Sequence, residues 1–456
     1  MTVDDVTTRL VNSALTRRRF LERTAVVGGS LAAGNILAAC GDDDDDGDGD
    51  APTGQQLGQQ LRDILGEPRN LIAEGPGNFD ITGSWPLTGP GSVYGELQSE
   101  GFRYGAEHVA AWTNGKLRFQ AEAVDNAGGD PQKSVANARG AGLAREPIFV
   151  TSYIFGFGAQ PALIAQYKML SLDPGGGTGP LAQGLPYCYG FRASYPQDLV
   201  DGLLETITRE NSDASTLAVV DAEINADYNG ANEEFSRGAA QRAGLELVSF
   251  STAPLGQTDY ASVISAVKED DPNVVVFLNF GTDVAYCARE VQRQALDATY
   301  GGIDFTPDGA QVAGPAFRDW IFSHDYINVT DPPSDWSKLF VDSWESDNGN
   351  PPENYNAAYY ASAFAYAIMM DRILGFGGDI QNGADWLRAL EQEPTFPHVY
   401  GGNGSQIGEI VLDPETHSPT SIPILGFRAE GTGSTEDITL LAEYDIGGRN
   451  YQPIES

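Results

Sequence analysis

Four histidines, three cysteines and a few glycine-rich loops are the parts of this sequence with chemistry to offer. His108, His324, His398 and His417 stand far apart in the sequence. No two of them have the spacing by which one helix presents two imidazoles to a metal. Gly175-Gly176-Gly177-Thr178 lacks the Gly-Lys-Ser/Thr ending of a phosphate loop. No Gly-x-Ser-x-Gly elbow occurs near a plausible triad. These absences point away from metal-assisted hydrolysis, phosphoryl transfer and serine nucleophiles, so an enzyme is not expected and no cofactor or metal is implied.

Cys40 is different. It ends Leu37-Ala38-Ala39-Cys40, a stretch similar to the box at which a signal peptidase cuts before a cysteine that then receives a lipid. Upstream, Thr16-Arg17-Arg18-Arg19-Phe20-Leu21 and a small-residue apolar run resemble a twin-arginine export signal. That run, residues 24–39, is short and rich in Gly and Ala, whereas a spanning helix needs about 20 strongly apolar residues. The expectation is a signal over residues 1–39 and a lipid on Cys40 holding the rest at the membrane's outer face. Cys188 and Cys287 remain, either as a disulfide permitted outside the cell or as two buried thiols.

The chain sets 27 Lys and Arg against 64 Asp and Glu, a formal net charge of −37 over 456 residues. Its only lysines are Lys116, Lys133, Lys168, Lys268 and Lys338. Such a surface repels itself in dilute buffer. At molar salt the Debye length falls to about 3 Å and the repulsion fades. The composition reads as that of a halophile's protein, soluble in brine. No basic stripe exists to neutralise phosphates, which excludes nucleic acid as a partner. The Asp42–Asp46 run lacks oxygen ligands staged around a turn, so it reads as solvated chain rather than a calcium site.

The elements that must position any site begin after this run. Residues 40–78, rich in Asp, Gly, Pro and Gln, read as a tether with one short helical possibility from Gln55 to Leu65. From Phe79 strand and helix signals alternate. Phe79–Trp85 is a strand ending in a Pro-Gly turn, and a helix to Asn114 follows with Leu97, Phe102, Val109 and Trp112 on its apolar side. Leu117–Val124 alternates as a strand, Pro131 opens a helix, and two short apolar strands close the series. The rhythm restarts after Ser194, and Asn273–Leu278 is an apolar run suited to a strand covered on both faces. Repeated strand-helix-strand units imply parallel sheets flanked by helices, one sheet per lobe. The expected division is a first lobe over 79–194, a second over 195–330, a return to the first over 331–420, and a C-terminal segment, 421–456, returning to the second. Several crossings between the lobes make a hinge.

At three places the sequence resembles one family. Pro86-Leu-Thr-Gly-Pro-Gly-Ser-Val-Tyr-Gly95 after the first strand is similar to the opening of the branched-chain amino-acid binding proteins of ABC transporters. Asp125-Asn-Ala-Gly-Gly-Asp-Pro-Gln-Lys-Ser-Val-Ala-Asn-Ala138 resembles their acidic turn, Asp-Pro and alanine-rich helix. Thr258-Asp259-Tyr260, followed by a short helix and the Asn-Val-Val-Val-Phe strand, resembles their second-lobe pattern. The likeness runs over about residues 79–450. It implies the type I periplasmic-binding-protein fold, two α/β lobes that close on a small solute and hand it to an ABC permease and its ATPase.

The resemblance also implies a ligand site at the C-terminal ends of the strands, where open parallel sheets bind ligands. In the first lobe it points to Tyr94 as an aromatic wall. It points also to Phe155 and Gly156 in a loop whose N–H groups meet a carboxylate at a helix start, and to Asp173 and Thr178 around a glycine run that approaches the ligand closely. In the second lobe it points to Tyr228, Phe280 and Asp308, the last as the acceptor for an ammonium. Where the family often has serine near position 156 this chain has glycine, and the third loop is lengthened. The solute expected is a leucine-like amino acid, with amides, urea-like compounds and aromatic acids open. A ligand-sensing module on the same lobes is the alternative role.

Overall fold

The computed structural model describes residues 54–454, apart from 90, 129, 153–158, 176–184, 194–195, 225 and 326. The export signal, Cys40, and the candidates Phe155, Gly156 and Thr178 lie outside the described residues. The stretch expected as tether up to residue 78 folds sooner. Gly54–Leu65 (α1) and Arg69–Glu74 (α2) are helices that bury Leu61 and Leu71 completely. Leu57, Leu61 and Ile64 recur at helical spacing, so one face of α1 has apolar surface to bury despite its Gly and Gln content. Arg62 Nη1 ties it to the Trp112 carbonyl at 3.2 Å.

Gly77–Trp85 (β1) is followed by Ser92–Trp112 (α3), Leu117–Asp125 (β2), Pro131–Ala144 (α4) and Phe149–Thr151 (β3). Then come Ala159–Tyr167 (α5), Ser171–Asp173 (β4) and Cys188–Gly190 (β5). β1 lies parallel between β2 and β3, with Gly77 opposite Leu117 and Thr82 opposite Phe149. β4 and β5 pair in parallel, and a parallel bridge from Ile148 to Leu170 joins them to β3. The strand order is therefore β2-β1-β3-β4-β5, with the chain running outward on both sides of β1 as in a doubly wound sheet.

The second lobe runs through Pro196–Glu210 (α6), Thr216–Glu223 (β6), Ala226–Arg242 (α7), Glu246–Pro254 (β7) and Ala261–Glu269 (α8). It continues through Val274–Leu278 (β8), Thr282–Gln294 (α9), Thr299–Gly302 (β9), Pro307–Ala313 (α10) and Ile321–His324 (β10). The five strands are parallel in the order β7-β6-β8-β9-β10. All five residues of β8 are buried, as its unbroken apolar run requires of a central strand.

Asp335–Asn348 (α11), Asn354–Gly375 (α12) and Gly383–Gln392 (α13) follow. Helix α12 packs along α3, and two glycines of α3 permit it. A Cβ at Gly101 would stand 2.4 Å from the Asn356 carbonyl oxygen, and one at Gly105 2.7 Å from that of Tyr360. From inside the lobe α12 fastens two strand ends: Tyr359 Oη donates to the Thr151 carbonyl at 2.9 Å, and the Leu172 N–H donates to Tyr366 Oη at 2.8 Å. Thr395–Asn403 (β11), Gln406–Leu412 (β12) and Pro419–Ser421 (β13) form a small antiparallel sheet. Pro423–Ala429 (β14) then pairs antiparallel with β10, and Ile438–Asp445 (β15) and Arg449–Pro453 (β16) extend that sheet. The chain thus passes between lobes near Arg192, near Asp325 and near Ile422.

Candidate functional site

The C-terminal ends of both sets of parallel strands face the seam between the lobes. On the first-lobe side, the loop after β1 is fastened by Asp125 at the end of β2. Asp125 Oδ1 accepts the N–H groups of Leu87 and Thr88 at 3.1 Å, and Oδ2 accepts the Thr88 hydroxyl at 2.6 Å. Partial burial opposes ionisation there, but the Thr88 hydroxyl and the backbone donors outweigh it and hold the carboxyl below its ordinary value. The anchored loop delivers Gly91 in the left-handed region (φ 82°) as the cap of α3, with no side chain closing the helix start. Tyr94 sits in the first turn.

Across the seam, β8 ends at Leu278, and Asn279, Phe280 and Gly281 lead into α9, again with no side-chain cap. A cleft of about 560 Å³ opens between the two helix starts. Tyr94, Phe280, Asp283, Tyr286 and Asp308 are among its walls, and its charged lining residues are the two aspartates. Burial raises the carboxyl of each above the ordinary value. Asp283 also accepts the Gly256 N–H at 2.9 Å.

The lobes touch directly at Asp304, just past β9. Its Oδ2 accepts the Tyr94 hydroxyl of the first lobe at 2.6 Å and the Gly281 N–H at 2.6 Å. Burial, reinforced by the Asp304 charge, raises the Tyr94 phenol well above its ordinary pKa, so the phenol keeps the proton it donates. Gly281 has φ +53°, and a Cβ there would stand 2.8 Å from Tyr94 Oη. Both the backbone and the neighbour demand glycine.

Behind this contact lies a buried polar cluster at the hinge. The Tyr94 ring meets Tyr355 edge-on at 5.0 Å, and the Arg192 guanidinium lies 4.0 Å over the Tyr355 ring. Arg192 Nε stands 2.8 Å from both Asp325 oxygens, in an ion pair that is essentially unexposed. Arg192 Nη2 lies 2.6 Å from His324 Nε2. Burial and the Arg192 charge depress the imidazole, yet hydrogen bonds to Asp304 and Asp325 leave it above its ordinary value. Because Arg192 and Asp325 lie on different interlobe crossings, the pair ties the two together.

Of the sequence candidates, Tyr94, Phe280 and Asp308 come together in the cleft. Asp173 is fully buried at the end of β4, where its Oδ1 accepts the Gly175 N–H at 2.9 Å, and it is not among the cleft walls. Tyr228 stands in the first turn of α7 near Asp221 at the end of β6, also apart from those walls. Burial pushes Asp221 up to about 6 against hydrogen bonds from Asn229 and Asn232. Sequence reasoning placed the 279–283 stretch at a ligand-facing edge and missed Asp304, Arg192, His324 and Asp325. The signal for Asp304 was present: an aspartate at the end of Thr-Tyr-Gly-Gly-Ile, a strand disguised by its two glycines. Asp308 instead lies in the first turn of α10, whose start is capped by Thr306 Oγ1 on the Gly309 N–H at 3.2 Å. Among the described residues no group of three or more His, Cys, Asp or Glu is disposed to hold a metal ion, and no helix is long and apolar enough to cross a membrane.

The model of the periplasmic binding protein family matches residues 80–421, well over half of the sequence. The chain belongs to that family. Solved periplasmic binding proteins share its architecture. An amino acid ABC transporter substrate-binding protein from Pseudomonas fluorescens Pf-5 superposes with a TM-score of 0.65 at 14% identity, covering 81% of this chain and 96% of that one. The branched-chain amino acid transporter substrate-binding protein of Streptococcus pneumoniae, solved with isoleucine, gives 0.64 at 15% identity over 80% and 99%. A solute-binding protein from R. palustris, solved with benzoate, gives 0.64 at 14% identity over 83% and 98%. These likenesses establish the two-lobe type I fold. No curated protein sequence matches significantly.

Proposed function

We propose that this periplasmic binding protein is the solute-binding component of an ABC importer and that its solute is an α-amino acid. The observation that carries the reading is the cleft itself. Two helix starts without side-chain caps, those of α3 and α9, open into it from opposite lobes and favour a carboxylate. The charged lining residues are aspartates, and Asp304 lies at the seam, so a positive charge is favoured beside the negative one. A bare carboxylic acid such as benzoate matches the helix starts but gains nothing from the aspartates. Solute lands on one lobe, and contacts from the other form only on closure, which shifts the population to the closed form that a permease reads. The Tyr94–Asp304 bond is one of the contacts that closure makes. On this reading residues 1–39 direct twin-arginine export, the lipid on Cys40 holds the protein outside the cell, and the acidic surface suits brine. Calorimetry in molar KCl tests the solute: zwitterionic amino acids bind and benzoate binds more weakly, whereas tighter binding of benzoate than of every amino acid refutes the assignment.

A further inference from the structure

The cleft between the lobes is acidic in a way that the general surface charge does not explain. Its charged walls among the described residues are Asp283 and Asp308, and none is Lys, Arg or His. The sequence brings no cation from nearby. Of the loops that follow the parallel strands, only the one after β5 carries a basic residue, Arg192, and that guanidinium is buried against Asp325. The two aspartates differ in their surroundings. Asp283, in the first turn of α9, is bonded into the protein: its Oδ2 accepts the Gly256 N–H at 2.9 Å, and Tyr260 adds a second hydrogen bond. It stands at a helix start that faces the solute's carboxylate, which places it beside the α-ammonium. Asp308, in the first turn of α10, has neither a hydrogen bond nor an ion pair among the described residues. It keeps solvent access on the cleft wall, yet the protein around it raises its carboxyl, with burial as the cause and nothing opposing it. An ordinary surface acid keeps its water; this one gives part of it up with nothing in return.

A neutral amino acid brings one positive charge to these two carboxylates. Its α-ammonium is matched by Asp283, and closure then takes more water from Asp308 without giving it a partner. A second cation on the solute removes that mismatch. The rest of the wall suits the stem that would carry it: Phe280 and Tyr286 are half-buried aromatic side chains, which attract a cation and cover an apolar chain. The cleft volume of about 560 Å³ admits a side chain as long as that of lysine or arginine. We propose that the solute is an α-amino acid with a positively charged side chain and that Asp308 is the specificity-determining residue that pairs with that charge. The inference rests on the amino-acid reading and narrows it from amino acids in general to the basic ones. The preference holds in brine, because a pair enclosed between the lobes is screened much less than one on the surface. It is sharp as well, because a carboxylate left unpaired in the closed cleft counts against every solute without the second cation.

The test is calorimetry and thermal shift in molar KCl on the wild type and Asp308→Asn, with L-lysine, L-arginine, L-norleucine, L-leucine and L-glutamate. Norleucine is lysine without the terminal ammonium, so that comparison isolates the second charge. Asparagine at 308 keeps the shape of the side chain and removes only its charge. The expected result is that lysine or arginine binds the wild type at least about tenfold more tightly than norleucine, with glutamate weakest, and that Asp308→Asn removes the preference. Norleucine or leucine binding the wild type as tightly as both basic amino acids overturns the proposal and leaves the amino-acid reading standing. So does a preference for the basic pair that survives Asp308→Asn. Wild-type protein that responds to none of the five overturns that reading and the proposal together.

Discussion

Tyr94 and Asp304 face each other from different lobes at 2.6 Å, and the same carboxylate oxygen takes the Gly281 N–H. Asp304 is 3% exposed and its other oxygen faces His324 Nε2 at 3.9 Å, so in the amino-acid reading it acts on affinity through the contact between the lobes rather than from the cleft wall. Asp308, on the cleft wall and already placed at a helix start, is the weaker candidate. Asp304→Asn is therefore expected to weaken binding of a neutral amino acid by about tenfold or more, and Asp308→Asn by no more than about threefold, by calorimetry. The reverse ranking returns the role to Asp308. Gly281→Ala acts differently. The added Cβ meets Tyr94 Oη at 2.8 Å on a backbone of φ 53° and ψ −125° that only glycine adopts readily, with a strain of about 1–3 kcal/mol before any clash. The expected outcome is a protein that folds but closes poorly, so that saturating solute produces a smaller fall in the radius of gyration than in the wild type.

At the level of elements, the first lobe depends on α3 and α12 lying backbone to backbone, and Gly101 and Gly105 set that distance. Gly101→Val places a branched side chain where a Cβ alone would stand 2.4 Å from the Asn356 carbonyl oxygen. Separating two long helices is overpacking at a backbone contact, with an expected loss of roughly 2–3 kcal/mol in denaturant unfolding. A loss below half of that indicates that α12 can shift without cost. The alternation of elements was legible because an unbroken apolar run such as Val274–Leu278 marks a covered strand and a long Ala- and Tyr-rich stretch such as Asn354–Gly375 marks a buried helix, by length and composition. Thr299–Gly302 was not, because its two glycines read as a break. They are there to admit neighbours: a Cβ on either would come within 2.7 Å of the Ile207 or Phe322 side chain. Helix α1 falls where the sequence offered a short helix, Gln55 to Leu65; what its Gly and Gln content concealed is that packing Leu61 against the lobe makes it part of the fold rather than of a tether. Phe280 could be placed because it comes just past a strand, and Tyr94 because the stretch Pro86 to Gly95 after the first strand carries the resemblance. Arg192, His324 and Asp325 could not, because their partners lie over a hundred positions apart or on the hinge itself, and nothing local marks a pair that tertiary structure brings together.

At the scale of the whole molecule, Glu353, at the start of α12, meets Thr435, in the turn between β14 and β15, whose hydroxyl donates to Glu353 Oε1 at 2.9 Å. Burial, with Glu436 adding to it and the Thr435 bond and His324 opposing it, pushes the Glu353 carboxyl up to about 7. If opening the lobes exposes Glu353 to water, the carboxyl falls toward its ordinary value of 4.5, and the closed form then holds the proton more tightly than the open one. The proton's help to closure is full below the open-form value and is lost as pH rises through about 7. Solute affinity should fall by about tenfold between pH 5 and 8, and Glu353→Gln should flatten that dependence. A profile unchanged by the substitution removes Glu353 from closure. Charge acts on the same equilibrium over a longer range. With a formal net charge of −37, each lobe repels the other and itself, and at 0.1 M salt the screening length of about 10 Å leaves neighbouring acidic patches in contact electrostatically. At molar KCl it shrinks to about 3 Å, within the span of one side chain. Folding and closure should therefore both strengthen with salt. The melting temperature should rise by roughly ten degrees or more from dilute to molar KCl, and the closed fraction at fixed solute should rise with it. A neutral osmolyte that raises the melting temperature equally, with no added effect of KCl, would place the stabilisation in general surface exclusion rather than in the acidic surface.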